Sequence, residues 1–223
     1  MMKSRDFPPI HRLALIGAVY LMLYFDMVTG LVSPPAGTEA WLLANIIKNS
    51  LRIGAVCGLM AWMGGFGAYL QPGVRLFPTA KDILDALAIA GIIGLFIAVS
   101  SWLLAPHDWT NPVLTSLPKA PQSWRFITLA MVSSFGTGYA EELFFRFFLI
   151  KNFEMTGFST LYSVLISAVI FGLSHQAQGI PGMLIAGAAA LLFSLAMLKG
   201  KSPHALALGH AMYDAGILLL LTT

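Results

Sequence analysis

Charge is what this sequence has least of. Asp, Glu, Lys and Arg make up 10% of its 223 residues, against 57% hydrophobic residues, and the mean hydropathy is strongly positive. A water-soluble domain carries about 25% charged residues, so this chain cannot cover a water-facing surface and must meet a lipid bilayer instead. Cysteine is almost missing. Cys57 alone excludes an intramolecular disulfide framework and a cysteine-based zinc site, and inside an apolar run it reads as a small buried hydrophobe. No basic tract is present and the net charge of +3 is spread along the chain, which argues against nucleic acid as a partner. Internal repeats and low-complexity tracts are absent as well. The connections are short except for the Pro-rich segment 105–123, leaving no room for a soluble domain.

What is there is a series of apolar runs, each near the roughly 20 residues a membrane helix needs: 13–32, 46–70, 83–104, 126–150, 161–174, 183–198 and 205–221. The expected fold is therefore all-α, a polytopic transmembrane bundle of about seven helices forming one integral membrane domain over residues 1–223. The breakers Pro34-Pro35, Pro72-Gly73, Gly157, Gly179 to Gly182 and Gly200 to Pro203 fall between the runs. The first run is longer than a signal-peptide core and no clear cleavage pattern follows it, so it is expected to be retained. The fifth is short and is expected to begin near Phe158 or to extend beyond His175. With the N-terminus in the cytoplasm, Lys3, Arg5, Arg12, Arg75, Lys81, Lys151, Lys199 and Lys201 fall inside and Lys119 and Arg125 outside, the bias the positive-inside rule favours. Small size and short connections suit a bacterial inner membrane by analogy.

Against this apolar background a few polar residues stand out. The stretch YAEELFFRFFLI, residues 139–150, carries Glu141, Glu142 and Arg146. A charge near the membrane midplane costs about 2.5–3.5 kcal/mol on insertion scales, so three within six residues need a reason. Glu142 and Arg146, at i and i+4, share a helix face and can neutralise each other. Glu141 lies about 100° away and has no partner in sequence, so it wants one from another helix. The fifth run ends in Phe171-Gly-Leu-Ser-His175 and the seventh contains His210-Ala-Met-Tyr-Asp214. Two histidines, an aspartate and two glutamates on three helices can converge only inside the bundle. His204 after Pro203 and His107 in a connection read as interfacial polar residues. Asp26 in the first run is expected to pair with Lys48 or Arg52 across helices.

Two chemical schemes fit this constellation. In the first, Glu141 and His175 share a water and draw off its proton as it attacks a carbonyl carbon, while His210, oriented by Asp214, donates to the developing oxyanion. Glu142 with Arg146 then fixes the helix and tunes Glu141. In the second, Glu141, His175 and His210 hold a divalent metal such as zinc and leave a position open for water. No H-E-x-x-H pair is present. The cluster also admits a non-catalytic immunity or scaffolding role, in which it only joins helices, or a proton relay. The missing inverted halves argue against a transporter.

Glu141-Glu142-x-x-x-Arg146, Phe171-x-x-x-His175 and His210-x-x-x-Asp214, in this order on successive apolar helices, resemble the three motifs of the CPBP family of intramembrane proteases, also called type II CAAX proteases or the Abi family. The resemblance covers residues 124–221 and none of the first three runs. It implies a membrane-embedded endopeptidase acting on a membrane-anchored peptide or protein, with Glu141 and His175 activating water and His210 with residue 214 at the oxyanion. The family has been described both as metalloproteases and as users of a metal-free glutamate mechanism. Many members carry Asn where this chain has Asp214. An ionised Asp cannot donate to an oxyanion, so Asp214 is expected to be protonated, to orient His210 or to bind metal. One geometric demand remains: a fourth helix ending at Ile150 leaves Glu141 shallower than His175, and tilt or a deeper fifth helix must bring them level.

Overall fold

The computed structural model describes residues 8–29, 37–70, 75–104, 111–115, 117 and 123–221. The expected breakers Pro34-Pro35 and Pro72-Gly73, along with Lys3, Arg5, His107 and Lys119, lie outside the described residues. Among those described there are seven long helices and no strand, so the chain is an all-helical bundle.

Helix α1 is Pro9–Thr29, with Pro9 at the first helical position, where its missing N–H costs nothing. It is kinked at Tyr24, whose backbone leaves the helical region at φ −119° and ψ 19°. Helix α2, Glu39–Met63, is capped by Thr38, whose hydroxyl accepts from the Trp41 N–H. Helix α3, Ala80–Leu104, opens with a reciprocal box: the Thr79 N–H donates to the Asp82 carboxylate at 2.7 Å, and the Asp82 N–H donates to the Thr79 hydroxyl at 3.3 Å.

Helix α4 spans 124–155 in three pieces: α-helical Trp124–Glu142, π-helical Leu143–Leu149 and α-helical Ile150–Met155. Helix α5 is Thr160–Leu173, α6 is Gly179–Leu198 and α7 is Pro203–Leu221. A single helical turn, Pro112–Thr115, and a 3-10 turn, Gln176–Gln178, sit between the longer elements.

Among the described residues three stretches are long and apolar enough to cross a membrane: α2, α3 and Gln176–Leu198, which is α6 with its preceding turn. The fifth helix begins at Thr160, capped by Ser159 and so near Phe158, and stops at Leu173, short of His175. Its 14 residues span about 21 Å at 1.5 Å per residue, short of the roughly 30 Å hydrocarbon core. The bundle wears its apolar side chains outward as well as inward. Leu84, Leu95, Ile180 and Leu184 are all well exposed, and Trp102 and Trp124 stand near helix ends as interfacial aromatics do.

Helix α4 is the hub. It packs on α2 and α7, α7 packs on α3, and α5 pairs with α6. Three of these contacts, among the described residues, require glycine, one of them at Gly209 of α7, where a Cβ would lie 2.8 Å from Ile89 of α3. A Cβ on Gly138 would lie 2.3 Å from the Ala207 carbonyl oxygen, and one on Gly172 would lie 2.7 Å from that of Met183. The small-residue face of α6 is used in the same way within the chain, where Gly187 backs onto Ala168 and Gly172 of α5.

The ends of the helices are tied in two groups. At one end, Arg12 donates to the Asn152 side chain at 2.7 Å, Lys201 reaches Asp85 at 2.7 Å and Ser202 donates to Asp82. At the other, Arg125 pairs with Glu39 at 3.1 Å and Asn111 donates to Gln178 at 3.3 Å.

Candidate active site

The π-helical turn follows directly on the two glutamates. Such turns insert a residue into a helix and occur often at functional sites. Here Phe144, Phe145, Phe147, Phe148 and Leu149 are at most 1% exposed, so this part of α4 is buried on every side. Arg146 sits among them with no exposure. Its Nε lies 3.1 Å from Glu142 Oε2, yet none of its N–H groups is aimed well enough to make a hydrogen bond among the described residues. Aromatic faces make up the difference: the guanidinium carbon is 4.4 Å from the centre of the Phe171 ring and 5.3 Å from that of Phe193. The i, i+4 ion pair expected from the sequence is present, and it is sealed from water.

Phe171 also orders the histidines. Its ring lies 4.5 Å from that of His175 and 6.4 Å from that of His210. The His175 Nδ1–H donates to the Phe171 carbonyl at 2.8 Å, and since a carbonyl can only accept, the neutral ring keeps its Nε2 lone pair free. His175 stands just past the end of α5, in the turn before the 3-10 segment, and is half-buried.

His210 is bracketed by three carboxylates. Its Nδ1–H donates to Glu142 Oε1 at 2.8 Å, while Nε2 faces Glu141 Oε2 at 3.8 Å and Asp214 Oδ2 at 3.6 Å. The closest partner of His210 is thus Glu142 rather than Asp214, a cross-helix contact that sequence spacing does not reveal. A bare lone pair on Nε2 facing two carboxylates would be repelled, so the arrangement calls for a proton between them, on Nε2 or on a carboxyl.

A cavity of about 650 Å³ gathers these groups. Glu141, His175, His210 and Asp214 all line it, as do Ser133, Ser134 and Thr137 one to two turns above Glu141 on α4. Glu142 and Arg146 lie behind this surface, fully buried. The depth mismatch between Glu141 and His175 disappears because α4 runs on to Met155 rather than ending at Ile150. Counted from the 155–160 turn, Glu141 is 14 residues back along α4 and His175 is 15 residues along from Thr160, about 21–23 Å each way.

The cavity lining also includes part of a network that the sequence showed only in part. Asp26 pairs with both Lys48 and Arg52, each at 2.6 Å. Arg52 also donates to the Leu23 carbonyl at 2.7 Å and to the Asn49 side chain at 3.0 Å, and stacks 4.4 Å over Tyr24. Asn49 in turn donates to Thr137 at 2.8 Å, joining α2 to α4, and the Tyr24 hydroxyl donates to the Ala140 carbonyl at 3.1 Å. His204 is not merely interfacial. Its Nε2–H donates to the Arg75 carbonyl at 2.8 Å, so its Nδ1 accepts from the Tyr139 hydroxyl at 2.7 Å and holds the start of α7 to α4, away from the cavity. Cys57 is half-buried and free rather than fully buried.

No group of three or more His, Cys, Asp or Glu side chains among the described residues is arranged to hold a metal ion. The set Glu141, His175 and His210 considered for zinc is not among such groups as placed.

Residues 123–216 match the model of a family described as Rce1-like: Type II CAAX prenyl endopeptidase Rce1-like. The matched stretch is less than half of the chain. It runs from the cap of α4 into α7 and contains all six of the residues singled out above. No curated protein and no solved structure matches the chain.

Proposed function

We propose, taking the Rce1-like domain at residues 123–216 as premise and consistent with the CPBP family, that this chain is an intramembrane endopeptidase. It hydrolyses a peptide bond in a membrane-associated, in some cases lipidated, substrate. The observation that carries this reading is the convergence of Glu141, His175, His210 and Asp214 from α4, the end of α5 and α7 on one cavity.

In this reading a water lies between the Glu141 carboxylate and the free Nε2 of His175. Glu141 takes the proton as the water oxygen attacks the scissile carbonyl carbon, and His175 holds the water by its other hydrogen. The His210 Nε2–H donates to the oxyanion that forms, and when the C–N bond breaks the proton held by Glu141 passes to the leaving amine. Glu142 fixes the ring of His210 through Nδ1, and Arg146 offsets the charge of Glu142. Asp214, 3.6 Å from Nε2, orients the ring toward the oxyanion. The protein lies in the membrane with its N-terminus in the cytoplasm, and a bacterial cell membrane suits its size and short connections.

The test compares newly formed protein termini in membranes from cells making the wild type or the Glu141→Ala variant at matched levels. Termini found with the wild type alone establish proteolysis and identify the substrate. Identical termini, with both proteins folded, leave the cluster as a helix-joining device in a non-catalytic immunity or scaffolding protein.

A further inference from the structure

The cavity is built from one end of the bundle. Its upper lining comes from Trp41 at the start of α2, Ser101 at the end of α3, Asn111 and Thr115 in the connection that follows, Gln178 before α6, and Leu218 near the end of α7. None of the described lining residues belongs to the connections 64–79, 156–159 or 199–202, which lie at the other end. Between the cavity and that other end stand Phe144, Phe145, Phe147, Phe148 and the Arg146 guanidinium, packed without exposure of more than 1%. Glu141 and His210 form the floor just above this aromatic layer.

The basic residues sort by the same two ends. Among the described lysines and arginines at helix ends or in connections, Arg12, Arg75, Lys81, Lys151, Lys199 and Lys201 belong to the sealed end and Arg125 to the end from which the cavity is built. The positive-inside rule counts such residues near membrane helix ends and puts the richer side in the cytoplasm.

From these two observations together we infer that water and substrate reach Glu141 from the non-cytoplasmic face. The substrate class that follows is a polypeptide segment presented on that face, exported or anchored there, rather than a C-terminus held in the cytoplasm. The word substrate rests on the proteolytic reading above. The direction of access does not.

Access can be read without any cleavage. In a Cys57→Ala background, single cysteines are placed by Ser134→Cys on the cavity wall, seven residues or about 10 Å above Glu141, by Thr115→Cys at the mouth and by Lys199→Cys at the sealed end. A charged, membrane-impermeant thiol reagent is applied to intact cells and to inside-out membrane vesicles. In cells, positions 134 and 115 are expected to label to completion while 199 stays unmodified, and in vesicles the pattern reverses. Labelling of position 134 in inverted vesicles alone overturns the inference. So does a position 134 that reacts from neither side while 115 reacts, since access would then come laterally from lipid. Ile97→Cys, also on the wall, replaces Ser134→Cys if that variant does not fold. The same pattern in a Glu141→Gln background separates a failure of this inference from a failure of the proteolytic reading.

Discussion

The two parts of α4 on either side of Glu142 make opposite uses of the same helix. Before it, the buried positions are small or polar: Ala130, Ser133, Ser134, Gly138 and Ala140. Small side chains let α7 come within touching distance of the backbone at Gly138 and leave the room above Glu141 unfilled. After it, the helix widens to π geometry and fills all its surroundings with phenylalanine. The charges sit where the two regimes meet. Glu141 faces the cavity, whereas Arg146, four residues beyond Glu142, is desolvated and must be held by a carboxylate and aromatic faces. A buried cation thus anchors the Glu142 carboxylate behind the cavity floor, where it holds the ring of His210.

The sharpest way to break this contrast is at the cavity side. Glu141→Gln keeps the size of the side chain but removes the base. It is expected to lower cleavage by about 10²–10⁴-fold with unfolding temperature nearly unchanged, and His175→Ala to do the same, as read by the rate of appearance of the new termini. Cleavage retained by either variant would remove that residue from the mechanism.

On the sealed side the expected loss is in stability. Arg146→Met leaves Glu142 buried without its cation and is expected to cost about 3–5 kcal/mol, measured by denaturant unfolding in detergent. Arg146→Lys keeps the charge but not the flat guanidinium that rests on Phe171 and Phe193, so it is expected to recover part of the loss only. Full recovery would mean that stacking contributes little.

At the junction, Gly138→Ala forces a methyl against the Ala207 carbonyl and is expected to cost about 1–3 kcal/mol by pushing α7 away. Because α7 carries His210, cleavage is expected to fall further than stability alone accounts for, which a comparison of rate and unfolding midpoint reveals. The smallest effect belongs to Lys48→Ala on the cavity lining. Its side chain is 38% exposed and Asp26 retains Arg52, so the change is expected to stay within about 1 kcal/mol of the wild-type stability.

Much of the helix layout was legible because lipid-facing and core-facing positions are both apolar and only the breakers interrupt them. The pairing of Asp26 with Lys48 and Arg52 was legible for a related reason: in an apolar run a lone carboxylate has few places to go. The end of α4 was not. Lys151, Asn152 and Glu154 look like an exit from the membrane, but Asn152 is fully buried, accepts from Arg12 and donates to the Phe148 carbonyl at 2.8 Å, and the helix continues to Met155. The five-residue shift that this introduces is what brings Glu141 level with His175.

The sequence by itself determined that the chain is helical, that it belongs with lipid, and which few charged and imidazole groups must be hidden together. Those follow from composition and from the cost of leaving such groups unpaired, both properties of the chain alone. Tertiary structure decided which carboxylate holds His210, where the π turn falls, and at which end the cavity lies. These depend on how close two helices approach and on which ring fills the space between them, and residues 68 positions apart, as Glu142 and His210 are, carry no mark of that in their spacing.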